Sequence, residues 1–152
     1  LLLLGFGYLT SKQISVYKND FTLWSDTVKK NPTAWMAHYN LANVFIKEQK
    51  VEEALVHYRE AIGLKPDFPR ATYNLANTLL TQNKTQEAII QYQSTIRIKP
   101  DFVDAYNNLG VALLSEGSTE EAIIQFEKAL ELKPDYADAL NNLAIAARRG
   151  AN

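Results

Sequence analysis

The sequence contains no cysteine. That absence excludes a disulfide framework, a thiolate zinc site and a cysteine nucleophile together, and leaves the redox compartment open. An excess of charge of one sign is missing too: 16 basic against 17 acidic residues leave a formal charge of -1. A nucleic-acid surface carries a clear basic excess, because phosphate contacts dominate that affinity, so no nucleic-acid partner is expected. Histidine occurs only at His38 and His57, and there is no HExxH pair, phosphate-cradling glycine loop or GxSxG turn. No catalytic site, metal site or cofactor is therefore expected. The opening apolar run, Leu1 to Leu9, is shorter than the roughly 20 residues a membrane-spanning helix needs, and no positive charge precedes it as in a signal peptide. It reads as the tail of a longer hydrophobic segment. What remains is a chain of 152 residues, 47% hydrophobic and 22% charged, enough for one folded unit with a core.

What the sequence does have is a period. Pro32, Pro66, Pro100 and Pro134 are each 34 residues apart. The same step joins Leu41, Leu75, Leu109 and Leu143, each followed by a small residue (Ala42, Ala76, Gly110, Ala144), and joins Ala54, Ala88 and Ala122. Tyr58, Tyr92 and Phe126 follow the alanines four residues later. Periods of this length are the mark of a repeat architecture. Within each unit Leu41, Val44 and Phe45 fall at helical spacing, and so do Ala54, Leu55, Tyr58, Ala61 and Ile62. Polar breaks at Gln49-Lys50, Asn83-Lys84 and Gly117-Ser118 separate the two helices. Ser118 with Glu121 has capping-box spacing, and each proline ends a second helix because the residue before it is pushed out of the α region. The acidic pairs Glu52-Glu53 and Glu120-Glu121 suit the starts of second helices, and Arg148-Arg149 the end of another. His38 and His57 lie on different helices of one hairpin and read as packing residues.

This pattern resembles the tetratricopeptide repeat: a Leu-Gly/Ala pair, a large apolar residue, A-x-x-x-F/Y, a small residue and a proline. The resemblance covers 35–68, 69–102 and 103–136, with a first helix at 137–152 and a degenerate unit at 1–34, where Trp24, Thr27 and Pro32 keep register but Asp20 replaces alanine. It implies an all-α, right-handed superhelical solenoid of antiparallel hairpins, with a capping helix over about 20–30. His38, Thr72 and Leu140 stand where an aromatic is usual, Tyr106 alone keeping one, and Thr95 stands where Ala61 and Ala129 are small and apolar. Softer packing is expected at those places.

The resemblance also implies function: a protein-interaction module whose first helices line a concave groove. By helical phase the inward residues are Met36, Tyr39, Asn40, Asn43 and Lys47; then Arg70, Tyr73, Asn74, Asn77 and Thr81; then Asp104, Asn107, Asn108, Val111 and Ser115; then Asp138, Asn141, Asn142, Ile145 and Arg149. Asn40, Asn74, Asn108 and Asn142 form a ladder that resembles the asparagine-lined groove of the O-GlcNAc transferase repeats. Because an amide both donates and accepts, the ladder is expected to pair with an extended peptide in either sense, with Tyr39 and Tyr73 adding contact. The carboxylate clamp of some co-chaperone repeats is not matched: its slots fall on Tyr39, Asn43, Asn74, Asp104 and Asn108, which supply no cation. The stretch from Tyr17-Lys18-Asn19-Asp20 to Asn31-Pro32 is similar to the junction between membrane helix and repeats in bacterial O-mannosyltransferase-like membrane proteins. It implies a membrane-associated parent in which these repeats recognise an acceptor. A further alternative is a scaffold that self-associates through its solenoid ends.

Overall fold

In a computed structural model the described residues, 19–150, form helices whose limits are set by their flanking residues. They are α1 (Asp20–Lys30), α2 (Trp35–Lys47), α3 (Val51–Leu64), α4 (Pro69–Thr81), α5 (Thr85–Ile98), α6 (Val103–Ser115), α7 (Thr119–Leu132) and α8 (Ala137–Gly150). No strand occurs among the described residues. The second helices α3, α5 and α7 stop at Lys65, Lys99 and Lys133, with φ of -140, -136 and -144°. Each of those lysines precedes a proline, whose ring forbids it the α region.

Inside each hairpin the first helix ends in a left-handed residue: Gln49 (φ 60°), Asn83 (φ 57°) and Gly117 (φ 84°). The next amide then reaches back to a carbonyl five residues earlier, Lys50 to Phe45 at 2.9 Å, Lys84 to Leu79 at 3.0 Å and Ser118 to Leu113 at 3.0 Å. This is the Schellman closure, which satisfies carbonyls a helix end leaves open. It also explains why the capping box expected at Ser118 and Glu121 does not form. Ser118 precedes α7, but with ψ of 67° it takes the geometry of the closing turn, and its side chain makes no capping bond. Lys50 and Lys84 take similar geometry without a side-chain cap in the other units.

Antiparallel pairs α2/α3, α4/α5 and α6/α7 pack closely because alanines meet at the contacts: Ala42, Ala54, Ala76, Ala88 and Ala122 are all fully buried. Tyr58, Tyr92 and Phe126 fill the space toward the following hairpin and are buried as well. Each second helix packs on the next first helix, and α4 lies beside α6, and α6 beside α8. No comparable pairing joins α3, α5 and α7 to one another among the described residues. First helices therefore converge on one side and second helices splay on the other, which curves the solenoid. α1 forms where a helix was expected and packs on α2, with Phe21 edge-on to Phe45 at 5.8 Å. Asn19 caps it by accepting from the Thr22 amide at 2.9 Å.

Three of the departures from the repeat pattern, His38, Thr72 and Thr95, are buried without softening the packing, whereas Leu140 is left 48% exposed as softer packing requires. Thr72 and Thr95 are both buried, and their hydroxyls meet at 2.8 Å. Each also has a backbone acceptor of its own, Pro69 O at 3.0 Å and Gln91 O at 2.9 Å. His38 stands in for the aromatic by sending Nε2 to the carbonyl of Pro32 at 3.0 Å, just as Tyr106 sends its hydroxyl to Pro100 at 3.2 Å. The apolar run and the start of the proposed junction, residues 1–18, lie outside the described residues. Among the described residues no helix is long and apolar enough to cross a membrane.

Candidate peptide-binding trough

The concave side is built by α2, α4, α6 and α8, and the sequence-predicted asparagines are found along it, though in different environments. Asn40, Asn43, Asn74, Asn77, Asn108 and Asn142 are half-buried, Asn141 is exposed, and Asn107 is buried with 5% of its surface left. Asn107 is thus a packing residue and not an open contact for a ligand.

The ladder is not a row of uncommitted amides. Asn74 Nδ2 donates across the unit boundary to the Tyr39 hydroxyl and to Asn43 Oδ1, both at 3.2 Å. One period on, Asn108 Nδ2 donates to the Tyr73 hydroxyl at 2.9 Å and to Asn77 Oδ1 at 3.1 Å. Asn142 Nδ2 donates to Asn107 Oδ1 at 2.9 Å, Asn107 standing where the earlier units have tyrosine. The receiving oxygens are further tied within their own hairpins: Tyr58 donates to Asn43 Oδ1 and Tyr92 to Asn77 Oδ1, each at 2.6 Å. Half-buried polar groups at a close helix contact need partners, and these side chains supply one another.

One consequence corrects the expectation that each amide pairs in either sense. Intramolecular bonds fix which end of these amides is spent everywhere but at Asn40. Asn43 and Asn77 accept through Oδ1 and keep Nδ2 as a donor. Asn74 and Asn142 donate through Nδ2 and keep Oδ1 as an acceptor. Asn108 has both ends engaged, because its Oδ1 accepts from Asn107 Nδ2 at 3.1 Å. Asn40 enters no side-chain hydrogen bond among the described residues.

Burial of this network holds its hydroxyls above their ordinary range. Desolvation pushes the Tyr58 hydroxyl up to about 12, although the Asn74 amide opposes the shift. Tyr73 and Tyr92 are raised for the same first cause, burial. Neither hydroxyl is an acid–base group near neutral pH.

Open space lies over these residues. A concavity of about 470 Å³ is lined by Asn43, Ile46, Lys47, Tyr58, Asn74, Asn77 and Thr78. A second of the same size shares Ile46, Asn77 and Thr78 and continues to Gln49 and Gln82. A third, about 330 Å³, lies at the α6–α8 end between Val111, Leu114, Ser115, Asn142, Ile145 and Arg149. Met36, Lys47, Arg70, Thr81, Asp104, Ser115, Asp138 and Arg149, also assigned to the inward face by helical phase, are exposed. Ile46 and Thr78 were missed. Ile46 lies three residues past Asn43 and so shares its face, while Thr78 was hidden by its apolar neighbours. Among the described residues no group of acidic and histidine side chains is arranged to hold a metal.

Two tetratricopeptide-repeat family profiles match the chain, at residues 73–137 and 42–83. No curated protein matches it in sequence. Among solved structures, MamA superposes with a TM-score of 0.84 at 21% identity, over 95% of this chain and 87% of MamA. YrrB, described as a TPR protein with an unusual peptide-binding site, gives 0.78 at 22% identity over 87% of this chain and 68% of its own. The first TPR domain of Spaghetti (RPAP3), bound to the HSP90 peptide SRMEEVD, gives 0.75 at 24% identity over 78% and 94%. Residues 42–137 are tetratricopeptide repeats. The chain is an all-helical tetratricopeptide-repeat solenoid, a fold used for protein interaction.

Proposed function

We propose that the solenoid holds an extended polypeptide in the trough formed by its first helices. The observation that carries this reading is the alternation of half-committed amides along the trough. Asn43 Nδ2 and Asn77 Nδ2 can donate to a peptide carbonyl, and Asn74 Oδ1 can accept from a peptide amide. An extended chain offers those two groups in alternation, so a track of the same kind holds backbone largely irrespective of side chain. Each such bond contributes about 0.5–1.5 kcal/mol net, so the apolar and charged groups beside it (Ile46, Lys47) must add the rest. The peptide-binding site described for YrrB and the peptide bound to Spaghetti support this use of the fold. The carboxylate clamp is not part of the proposal: Asp104 occupies one of its slots and accepts the Tyr136 hydroxyl at 2.8 Å.

Ile46 provides the test, because it is 38% exposed and borders both concavities of the α2–α4 half. A random peptide library displayed on phage is selected against the purified protein, and selected peptides are titrated against wild type and Ile46→Arg. The proposal expects enrichment and at least tenfold weaker binding by the variant, with unchanged helicity by circular dichroism. No enrichment, or equal binding by Ile46→Arg, overturns it.

A further inference from the structure

The trough changes chemistry along its length, and the change follows the repeat register. The slot held by Asn43 and Asn77 in the first two units is held by Val111 and Ile145 in the next two. In the folded chain Val111 and Ile145 remain open, 37% and 45% exposed, although they are aliphatic. With Leu114 they wall the concavity at the α6–α8 end, and Arg149 stands at its edge. Of its polar members, Ser115 Oγ donates to Ala112 O at 2.7 Å, and Asn142 Nδ2 spends one of its two N–H groups on Asn107. No carboxylate is among the lining residues, and Arg149 forms no ion pair among the described residues.

We infer that this end of the trough is a specificity pocket for a peptide bearing an aliphatic side chain followed closely by an acidic one. The inference rests on the trough being a peptide site and names what that site selects. The aliphatic side chain removes Val111, Leu114 and Ile145 from water, a larger gain than at the amide-lined end, where Asn43, Asn74 and Asn77 share the walls with Ile46. The carboxylate meets the guanidinium of Arg149, which offers paired donors in a planar fork. Asn142 Oδ1, left as an acceptor, takes a peptide amide between the two. The amide track thus supplies register and the pocket supplies choice.

The probes are two fluorescein-labelled Gly/Ser peptides of equal length, one carrying leucine and glutamate two residues apart, the other asparagine and glutamine at the same places. Fluorescence anisotropy is read with wild type, with Ile145→Asn, which restores the amide of the earlier units, and with Arg149→Gln. Both positions are exposed, so the variants are expected to keep wild-type circular dichroism and melting. Wild type is expected to favour the Leu/Glu peptide by about tenfold, from burial of one aliphatic side chain. Ile145→Asn should erase most of that preference, and Arg149→Gln should weaken it and reduce its salt dependence. Equal binding of the two peptides by wild type, or a preference unchanged in Ile145→Asn, overturns the inference. If library peptides still bind through Ile46 in that case, the trough reading stands. If no library peptide is enriched, it falls separately.

Discussion

The Tyr58 hydroxyl and the Asn43 side chain meet at 2.6 Å, joining the two helices of the first full hairpin, and Asn74 of the next hairpin donates to the same oxygen. Tyr92 and Asn77 repeat this junction one period on, again at 2.6 Å. A further period on, the two residues are Phe126 and Val111. Hydroxyl and amide are kept together or lost together, as buried polar pairing requires: without the amide the buried hydroxyl would be left desolvated and unsatisfied, while the amide oxygen would keep only the donor from the next hairpin.

That coupling gives the first prediction. Asn43→Val strands a buried hydroxyl and should cost about 1–3 kcal/mol, whereas Tyr58→Phe should cost about 1 kcal/mol. The double variant reproduces the Val111/Phe126 pair and should be less destabilised than the sum, by at least 0.5 kcal/mol. Urea unfolding of the four proteins measures the cycle. Strict additivity would show that the 2.6 Å contact does not couple the pair.

Much of this was legible in the sequence and some was not, for reasons that can be named. The helices and their breaks follow from Pro66, Pro100 and Pro134 and from the spacing of Ala54 and Tyr58, because steric rules act locally. The direction of each asparagine was hidden. Whether Asn74 spends its nitrogen or its oxygen depends on Tyr39 and Asn43, residues of the preceding unit that no local rule places beside it. Thr72 and Thr95 looked like two separate weak points for the same reason, since only the folded hairpin brings their hydroxyls together at 2.8 Å. Ser118 misled because the capping pattern is local, while its actual backbone serves the Schellman closure of α6.

Three positions separate conformational from steric demand. Gln49 sits at φ 60° without the freedom of glycine, so Gln49→Gly should stabilise the protein by about 0.5–1 kcal/mol. Gly117 at φ 84° has nothing within 4 Å of an added Cβ, so Gly117→Ala should cost about 1 kcal/mol from backbone strain alone. Gly110 is helical, but a Cβ there would lie 2.5 Å from the Phe126 ring. Gly110→Ala should therefore cost about 1–3 kcal/mol through overpacking. Thermal melts of the three variants should rank Gln49→Gly above wild type and the two alanine variants below it.

Alkaline pH should weaken the fold through its buried phenols. Burial raises the Tyr58 hydroxyl from 10.0 to about 12. As pH rises above 10 the unfolded chain releases its proton while the folded chain keeps it, so stability present in full below 10 is lost progressively toward 12. Tyr73 and Tyr92 are raised by burial too and add to the same slope. Urea midpoints between pH 9 and 11.5 should fall, less steeply in Tyr58→Phe. An identical slope in that variant would remove Tyr58 as a contributor.

Acid should act on the first hairpin through His57. His38 Nε2 lies 3.0 Å from the Pro32 carbonyl, which can only accept, so the proton of neutral His38 sits on Nε2. Its Nδ1 is then free to accept from His57 Nδ1 at 2.9 Å. The His57 ring stacks on Phe45 at 5.5 Å, and burial first, then the facing His38, holds it below its ordinary 6.5, with Glu60 opposing. A histidine with a lowered folded value stabilises in full above 6.5. That contribution declines as pH falls below 6.5, because the unfolded chain takes up the proton first. The other hairpins carry Gln91 and Gln125 in the place of His57, so His57→Gln preserves the repeat and removes the titrating group. Melting temperature should drop between pH 7 and pH 5 in wild type and drop less in His57→Gln. Parallel curves for the two proteins would show that this imidazole contact carries no pH dependence.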